Sequence, residues 1–435
     1  MSQNTTDEIE RHVLRRFEIC QRLGRGAYGV VWKAKEKRTQ TVVALKKCFD
    51  AFRNNTDAQR TFREIMYLQA LSGHDNLIRL LHVIRAENDR DVYLTFQHME
   101  TDLHAVIRAH ILEDIHKKYI IYQLLRALKY LHSADLLHRD IKPSNLLLNS
   151  DCHLRLCDFG LCRSVSESGG PSPVLTDYVA TRWYRAPEIL LAATIYTKAV
   201  DMWSVGCILG EMITERPIFP GSSTMNQVEK ILEVTGRPNQ QEVESICSSY
   251  AGTMLASVTP KQQVSLEQLF PNVSQDATDF IGQNLKFSPD ERCSAEAALR
   301  HPYVAEFHDP EQEPVHPGGA VRIPIDDNMK LTAADYRNRL YEEITERRRE
   351  ARRREQARAK RTQVTLFAPA LHPNPNPNPH PNRMQGRWRG RGPPHELDAG
   401  GLRGDCPSLR GKLRLGLGLG LGLGPPLKTW ALRLE

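Results

Sequence analysis

The feature that most limits how this chain can fold is a glycine-rich turn between two β-patterned runs. In Leu23-Gly24-Arg25-Gly26-Ala27-Tyr28-Gly29-Val30-Val31 the glycines stand two and three residues apart. Glycine lets the backbone approach an anion closely and turn N–H groups toward it. Dinucleotide-binding turns share this spacing, but they pass directly into a helix. Here the apolar, β-branched run Gly29-Val30-Val31-Trp32-Lys33-Ala34 follows, then a polar link and Thr41-Val42-Val43-Ala44-Leu45-Lys46. With Phe17-Glu18-Ile19-Cys20 leading in, the turn joins strand to strand. Such loops also occur as plain turns, so the neighbours decide what this one does.

Lys46 ends a strand where it can reach the α- and β-phosphates of a nucleotide under the loop. The spacing predicts a helix starting at Thr56, with the Thr56 hydroxyl capping the first turn and Gln59 reaching back. Glu64 on that helix is the natural ion-pair partner of Lys46, although either residue alone would pass for a solvated side chain. Further on stands His138-Arg139-Asp140-Ile141-Lys142-Pro143-Ser144-Asn145, followed by Asp158-Phe159-Gly160. Asp140 can accept the proton of a hydroxyl, and Lys142 can steady a phosphoryl charge. Asn145 and Asp158 carry the oxygen donors that magnesium prefers. An incidental polar loop would not be followed in order by Ala186-Pro187-Glu188 and Asp201-Met202-Trp203-Ser204-Val205-Gly206.

Composition divides the 435 residues into segments. Residues 1–16 read as a tail and 17–303 as a mixed, well-patterned globular part, with strands first and then helices over Lys117 to His132 and Asp201 to Ile213. Residues 304–335 read as an extension packing on that part, 336–362 as a charged arginine-rich helix, and 363–435 as low complexity. The asparagine–proline and leucine–glycine repeats of this last stretch cannot build a packed core. Nine cysteines are scattered singly, without the close pairs of a zinc site, which fits reduced thiols in the cytoplasm or nucleus. There is no apolar run of about 18 residues, so no membrane span is expected, and the N-terminus has no signal-peptide core. The net charge of +7 is concentrated in the tail, which gives no reason to expect specific nucleic-acid binding.

This string of motifs, from about Phe17 to Tyr303, resembles that of eukaryotic protein kinases. The resemblance implies an α+β, bilobal fold with a small β-rich N-lobe (17–99) and a larger helical C-lobe (100–303), and ATP and Mg2+ as cofactors. It places Leu23, Gly24, Arg25, Gly26, Ala27, Tyr28, Gly29, Val30, Val31, Ala44, Lys46, Phe96, Gln97 and Met99 around ATP. It makes Asp140, Lys142, Lys46 and Glu64 the catalytic set and Asn145 and Asp158 the metal ligands. Glu188, Asp201 and Arg292 take structural roles, Arg292 pairing with Glu188. Thr181-Arg182-Trp183-Tyr184-Arg185-Ala186-Pro187-Glu188 and Pro217-Ile218-Phe219-Pro220-Gly221 are similar to the group of mitogen-activated and cyclin-dependent kinases, which act on protein substrates at Ser/Thr-Pro. Thr176-Asp177-Tyr178 resembles the dual-phosphorylation lip of mitogen-activated kinases. Its central aspartate, Phe96 and the run Asp57 to Glu64 look like the atypical branch of that family. In the family geometry phosphothreonine at Thr176 meets Arg63, Arg139 and Arg163, and phosphotyrosine at Tyr178 meets Arg182 and Arg185. A cyclin-dependent kinase fits less well, because Ala58 to Glu64 does not match a cyclin-binding helix. A pseudokinase scaffold fits poorly too, because Lys46, Glu64, Asp140, Asn145 and Asp158 are all present.

The family's acidic docking patch is partly kept in His308-Asp309-Pro310-Glu311-Gln312-Glu313. Asp309 and Glu313 remain, and Gln312 replaces an acid, which points toward autophosphorylation of the lip. Tyr341-Glu342-Glu343-Ile344 has the pattern that docks on autophagy ubiquitin-like proteins by strand addition. It also reads as the buried stripe of a helix. The atypical branch implies roles in stress signalling, autophagy and cilia.

Overall fold

The computed structural model describes residues 9–26, 29–165, 181–326 and 329–366, with side chains as far as 357. The strands are β1 Phe17–Gly26, β2 Gly29–Glu36, β3 Val42–Cys48, β4 Leu80–Arg85, β5 Val92–Gln97, β6 Thr101–Asp102, β7 Leu136–Leu137, β8 Leu146–Leu148, β9 Leu154–Leu156 and β10 Arg163–Ser164. The helices are α1 Arg11–Arg16, α2 Asn55–Ala70, α3 Leu103–Arg108, α4 Asp114–Ser133, α5 Pro187–Leu190, α6 Ala199–Thr214, α7 Thr224–Thr235, α8 Gln240–Ser245, α9 Ala251–Ala256, α10 Leu266–Leu269, α11 Gln275–Asn284, α12 Ala295–Leu299 and α13 Ala333–Leu366.

The N-lobe is a five-stranded antiparallel sheet in the order β1-β2-β3-β5-β4. Its outer face carries a core in which Val30, Trp32, Val43, Leu45 and Tyr93 pack with Ile9, Val13 and Phe17. Residues 9–16 are therefore part of the lobe and not a tail. Val13 is 1% exposed, and the Glu10 N–H donates to Tyr93 Oη at 3.2 Å. Arg16 closes the edge on Glu36 through Nε and Nη2, at 3.0 and 2.9 Å. A second departure from expectation is the start of α2. Its N-cap is Asn54, whose Oδ1 accepts the Asp57 N–H at 2.9 Å while its Nδ2 donates to the Asp57 carboxylate at 2.7 Å. Asn and Thr both cap well, but only Asn54 has an acid at the third position to reciprocate.

The C-lobe is built on α6, buried without a break from Val200 to Met212, and on α4, whose apolar positions face it. Asp201 at the start of α6 accepts from His132 Nε2 (2.9 Å) and from the backbone N–H groups of His138 (3.0 Å) and Arg139 (2.9 Å). One buried carboxylate thus ties α4, α6 and the 138–145 loop together.

After residue 304 the chain turns back along the two lobes. The His316 N–H donates to Ser133 Oγ at 2.7 Å, and the Val321 N–H to the Ala134 carbonyl at 2.9 Å. The Ala333 N–H then meets Asn55 Oδ1 at 2.9 Å, Tyr336 packs on Phe62 with ring centroids 5.9 Å apart, and Arg337 Nη1 donates to the Asp89 carbonyl at 2.9 Å. Thr332 and Asp335 cap α13 reciprocally. Among the described residues this compact unit runs to Leu340, and a second begins at Tyr341. In the second unit α13 continues, so Tyr341 to Ile344 is helical and not extended, and the arginine-rich stretch carries an exposed Arg354–Glu350 pair at 3.8 Å. Among the described residues no helix is long and apolar enough to cross a membrane.

Candidate active site

The pocket beneath the glycine-rich turn is lined by Lys46, Glu64, Leu68, Ile78, Phe96, Ser144, Asn145, Cys157 and Asp158. Pairing registers put Val31 opposite Lys46, Ala44 opposite Phe96 and Lys46 opposite Leu94. Side chains alternate along a strand, so Val31, Ala44, Lys46 and Phe96 share the pocket face. Val30 belongs to the opposite face, in the core with Trp32 and Val13. Of this residue, expected near ATP, only the backbone is on the pocket side. The same alternation turns the Gln97 side chain away from Phe96. Gly24 pairs with Val31 and Gly26 with Gly29 at the mouth of the turn. Gly29 is required there, because a Cβ would lie 2.1 Å from the Lys47 carbonyl oxygen. Leu23 and Met99 are buried, and the Arg25 guanidinium lies 5.7 Å from the Phe49 ring centre. Ala27 and Tyr28 lie outside the described residues.

Lys46 Nζ stands 3.7 Å from Glu64 Oε1. Burial alone would lower the pKa of this ammonium group, but Glu64, then Cys48 and Asp158, outweigh it and raise it. In the 138–145 loop Lys142 Nζ donates to Asp140 Oδ2 at 2.7 Å. Asn145 Nδ2 donates to the same Oδ2 at 3.1 Å and to the Asp140 carbonyl at 2.8 Å. The carboxylate is thereby held by a cation and an amide from its own loop. Asp158 has φ 66°, a left-handed conformation, and its carboxylate accepts the Gly160 N–H at 3.4 Å. Burial would raise its pKa, but Lys46, Lys142 and Arg60 bring it down to about 2. His138 joins the two loops, Nε2 to the Cys157 carbonyl at 3.0 Å, with its ring against Phe159. The Cys157 and Cys48 thiols are pushed upward by burial, Cys48 to about 11, which keeps them protonated neighbours and not nucleophiles.

Arg60 is a site residue that sequence reasoning missed. A Cβ on Gly160 would lie 2.8 Å from Arg60 Nε, so the guanidinium rests on the Asp-Phe-Gly backbone. The signal was present: Arg60 precedes Glu64 by one helical turn, which puts both on one face of α2.

The arginines expected to meet a lip phosphate are placed as follows. Arg63 is 3% exposed on α2. Arg139 has φ 67° and lies with its guanidinium carbon 5.2 Å from the Tyr196 ring centre. Arg163 pairs with Leu137 across β10 and β7, two residues from Arg139, and its Nη1 donates to the Cys162 carbonyl at 2.9 Å. Thr176 and Tyr178 lie outside the described residues. After the lip, Arg182 Nη1 donates to the Ser222 carbonyl at 3.3 Å and Trp183 Nε1 to the Gly221 carbonyl at 3.1 Å, and Arg185 stands two residues beyond Trp183. Tyr184 Oη donates to Glu211 Oε2 at 2.5 Å. Glu188 accepts both arms of Arg292 at 2.7 and 2.8 Å in a fully buried pair.

Residues 17–304 match the family model described as protein kinase domain. The chain is 59% identical over 354 residues to extracellular signal-regulated kinase 2 of Dictyostelium discoideum, covering 81% of this chain and 96% of that protein. The chain belongs to the mitogen-activated protein kinases. It is also 53% identical to mitogen-activated protein kinase 15 of Xenopus laevis and of Rattus norvegicus, over 80% and 79% of its own length. It spans only 60% and 64% of those two relatives. The kinase is thus a serine/threonine protein kinase of a family that uses ATP, typically with Mg2+. The acidic run expected to act as a docking patch presents one carboxylate fewer than its sequence suggests. Glu313 is 3% exposed and turned inward, with Oε1 at 2.8 Å from His308 Nδ1 and Oε2 at 3.5 Å from Lys129 Nζ. It is therefore not presented to a basic peptide.

Proposed function

We propose that the kinase transfers the γ-phosphate of ATP to serine or threonine followed by proline, and that it switches itself on by phosphorylating Thr176 and Tyr178. The Asp140–Lys142–Asn145 constellation carries this reading. Asp140, oriented by both neighbours, accepts the proton of the substrate hydroxyl. Lys142, released from Asp140 toward the transferring group, offsets its charge. Lys46, fixed by Glu64, positions the α- and β-phosphates. Asn145 and Asp158 suit Mg2+, because both offer oxygen donors and Asp158 stays ionised far below neutral pH. When bound, the ion neutralises charge between the phosphates.

The preference for proline follows from Arg185. Engaged with Tyr178 phosphate, it leaves no partner for a backbone N–H after the target residue, and proline has none to strand. Self-activation is supported by Gln312 and by the inward turn of Glu313, which together leave little acid for an upstream kinase to dock on. Sites of action in the cytoplasm and nucleus, or at cilia, and roles in stress signalling and autophagy rest on likeness to the atypical branch. Docking of an autophagy ubiquitin-like protein at Tyr341 to Ile344 by strand addition requires α13 to unwind there.

Asp140→Asn and Lys46→Arg should each cost about 100- to 1000-fold in turnover without unfolding the protein. Protein made in a bacterial host should carry phosphate on Thr176 and Tyr178, and the Asp140→Asn form should carry none. Near-parental turnover in either variant would overturn the transfer mechanism. An active enzyme with a bare lip would overturn self-activation alone.

A further inference from the structure

The sequence holds copies of the motif that the enzyme is proposed to phosphorylate. Serine or threonine precedes proline three times, at Ser172-Pro173, Thr259-Pro260 and Ser288-Pro289. Ser172 and Pro173 lie outside the described residues. Ser288 is 4% exposed and its Oγ lies 3.0 Å from Ser245 Oγ, so the folded chain keeps it from any cleft. Thr259 is the contrasting case. It is exposed, it stands between α9 and α10 in backbone that is neither helix nor strand, and its hydroxyl has no partner among the described residues. The following proline disfavours helical backbone at Thr259 and favours the extended form, which leaves the hydroxyl and the proline ring open to a binding partner.

A cation backs this loop. Val258 is 5% exposed, and its carbonyl accepts Arg237 Nη2 at 2.6 Å. The Val264 N–H donates to the Glu233 carbonyl at 2.7 Å, and a Cβ on Gly236 would lie 3.0 Å from Gln263 Nε2. Residues 259–263 thus form a short exposed loop whose two ends are fixed on the turn after α7. Lys261 stands two residues beyond Thr259, and from Ala256 to Ser265 the chain carries no acid. A phosphate on Thr259 adds about −1.5 to −2 of charge and three acceptor oxygens. It would arise one residue from a carbonyl that now holds the Arg237 guanidinium, and a phosphate is the stronger acceptor for such a fork.

We infer that Thr259 is a self-phosphorylation site separate from the lip, modified in the cleft of a second copy of this chain, and that Arg237 holds the phosphate; the inference rests on the proline-directed reading proposed above. A second copy is required because Thr259 stays within one residue, about 3.8 Å of chain, of the buried Val258 and so meets a cleft as part of a folded lobe. In the step the Thr259 hydroxyl gives its proton to the Asp140 carboxylate of the other copy. Its oxygen forms the bond to the γ-phosphorus, the bond from that phosphorus to the bridging oxygen breaks, and ADP leaves. The phosphate then ties the loop between α9 and α10 to the turn after α7.

The test uses two full-length chains. The Asp140→Asn form, made with heavy nitrogen so that its peptides are told apart by mass, is incubated with the active kinase and magnesium-ATP, and phosphopeptides are mapped over time. The heavy chain should gain phosphate on Thr259 and none on Ser288. Adding Pro260→Ala to the heavy chain should slow labelling of Thr259 about tenfold or more, because the restored N–H finds no acceptor in the cleft. A Thr-Pro peptide and its Thr-Ala counterpart, in the same mixture, report on the proline-directed reading by itself. If the Thr-Pro peptide is preferred and Thr259 stays bare, this inference falls and that reading stands; if the two peptides are labelled alike, both fall. Phosphate on Thr259 of the active chain but never on the heavy chain would overturn transfer between copies. Equal labelling of Ser288 would overturn the argument from exposure, and parental labelling of Pro260→Ala would overturn recognition of this loop as a Thr-Pro site. In phosphorus NMR the phosphothreonine signal that Thr259→Ala removes should titrate below the usual midpoint of about 6 and return to it in Arg237→Gln; a midpoint indifferent to Arg237 would overturn its role.

Discussion

Replacing Glu211 by glutamine should stabilise the kinase at neutral and alkaline pH, although the change removes a charge from a hydrogen-bonded pair. Glu211 is 2% exposed and accepts from Tyr184 Oη at 2.5 Å. Burial lifts its carboxyl from 4.5 to about 7, against the opposing effect of the Tyr184 bond. The sign follows from comparing the two states. Below about pH 4.5 the group is neutral whether the chain is folded or not, and it contributes no difference. As pH rises further, the unfolded chain releases a proton that the fold retains, and stability falls by about 1.4 kcal/mol per pH unit. The loss levels off above about pH 7, at roughly 3 kcal/mol. Glutamine has nearly the same shape, stays neutral and still offers Tyr184 an acceptor oxygen. Urea unfolding of parent and variant, followed by circular dichroism at several pH values between about 5 and 8, measures the difference directly. The two curves should nearly coincide at the acid end and diverge by roughly 3 kcal/mol at the alkaline end, the variant being the more stable. Parallel profiles, or a variant less stable at every pH, would refute the reasoning.

Three further outcomes follow from the packing. Arg292→Ala leaves the Glu188 carboxylate, 2% exposed, without its partner and should cost about 3–5 kcal/mol in denaturant unfolding; a loss below about 1 kcal/mol would mean that water reaches Glu188. Tyr336→Ala removes a ring that is 1% exposed and packed on Phe62, and should cost about 3–5 kcal/mol by the same measurement; no change would show that the extension leaves α2 in solution. Gly160→Ala sets a methyl 2.8 Å from Arg60 Nε and should lower kcat about tenfold, part of which should return when Arg60→Ala is added; no return would locate the clash elsewhere.

Pairs whose partners each sit in an ordered motif were legible in the sequence. Lys46 with Glu64, and Glu188 with Arg292, are examples, and in the fold they stand 3.7 and 2.7 Å apart. The first three strands, and helices such as Lys117 to His132, were legible from periodicity. What escaped depends on contacts that no local pattern encodes. Ile9, Val13 and Leu14 are the few apolar residues in a polar stretch, and only the back of the sheet makes them core. Val30 looked like its neighbour Val31 until the register of β2 assigned each a face. Glu313 reads as a surface acid, and Lys129 with His308 draws it inward. Glu211 has nothing in its helix to distinguish it, since its pKa is set by Tyr184 and by depth. Asn54 was overlooked as a cap because Thr56 and Gln59 also match a capping pattern.

One helix bears four separate attachments. Through Glu64 it holds Lys46, through Arg60 it rests on Gly160, through Phe62 it packs against Tyr336, and through Asn55 it holds Ala333. Thermodynamic coupling is reciprocal. If docking of residues 329–340 favours the inward position of α2, occupation of the nucleotide site must favour that docking by the same factor. The C-terminal extension is then a reporter as well as a brace. Its protection from proteolysis or hydrogen exchange should rise when nucleotide binds, by an amount equal to the affinity that nucleotide loses when the extension is cut away.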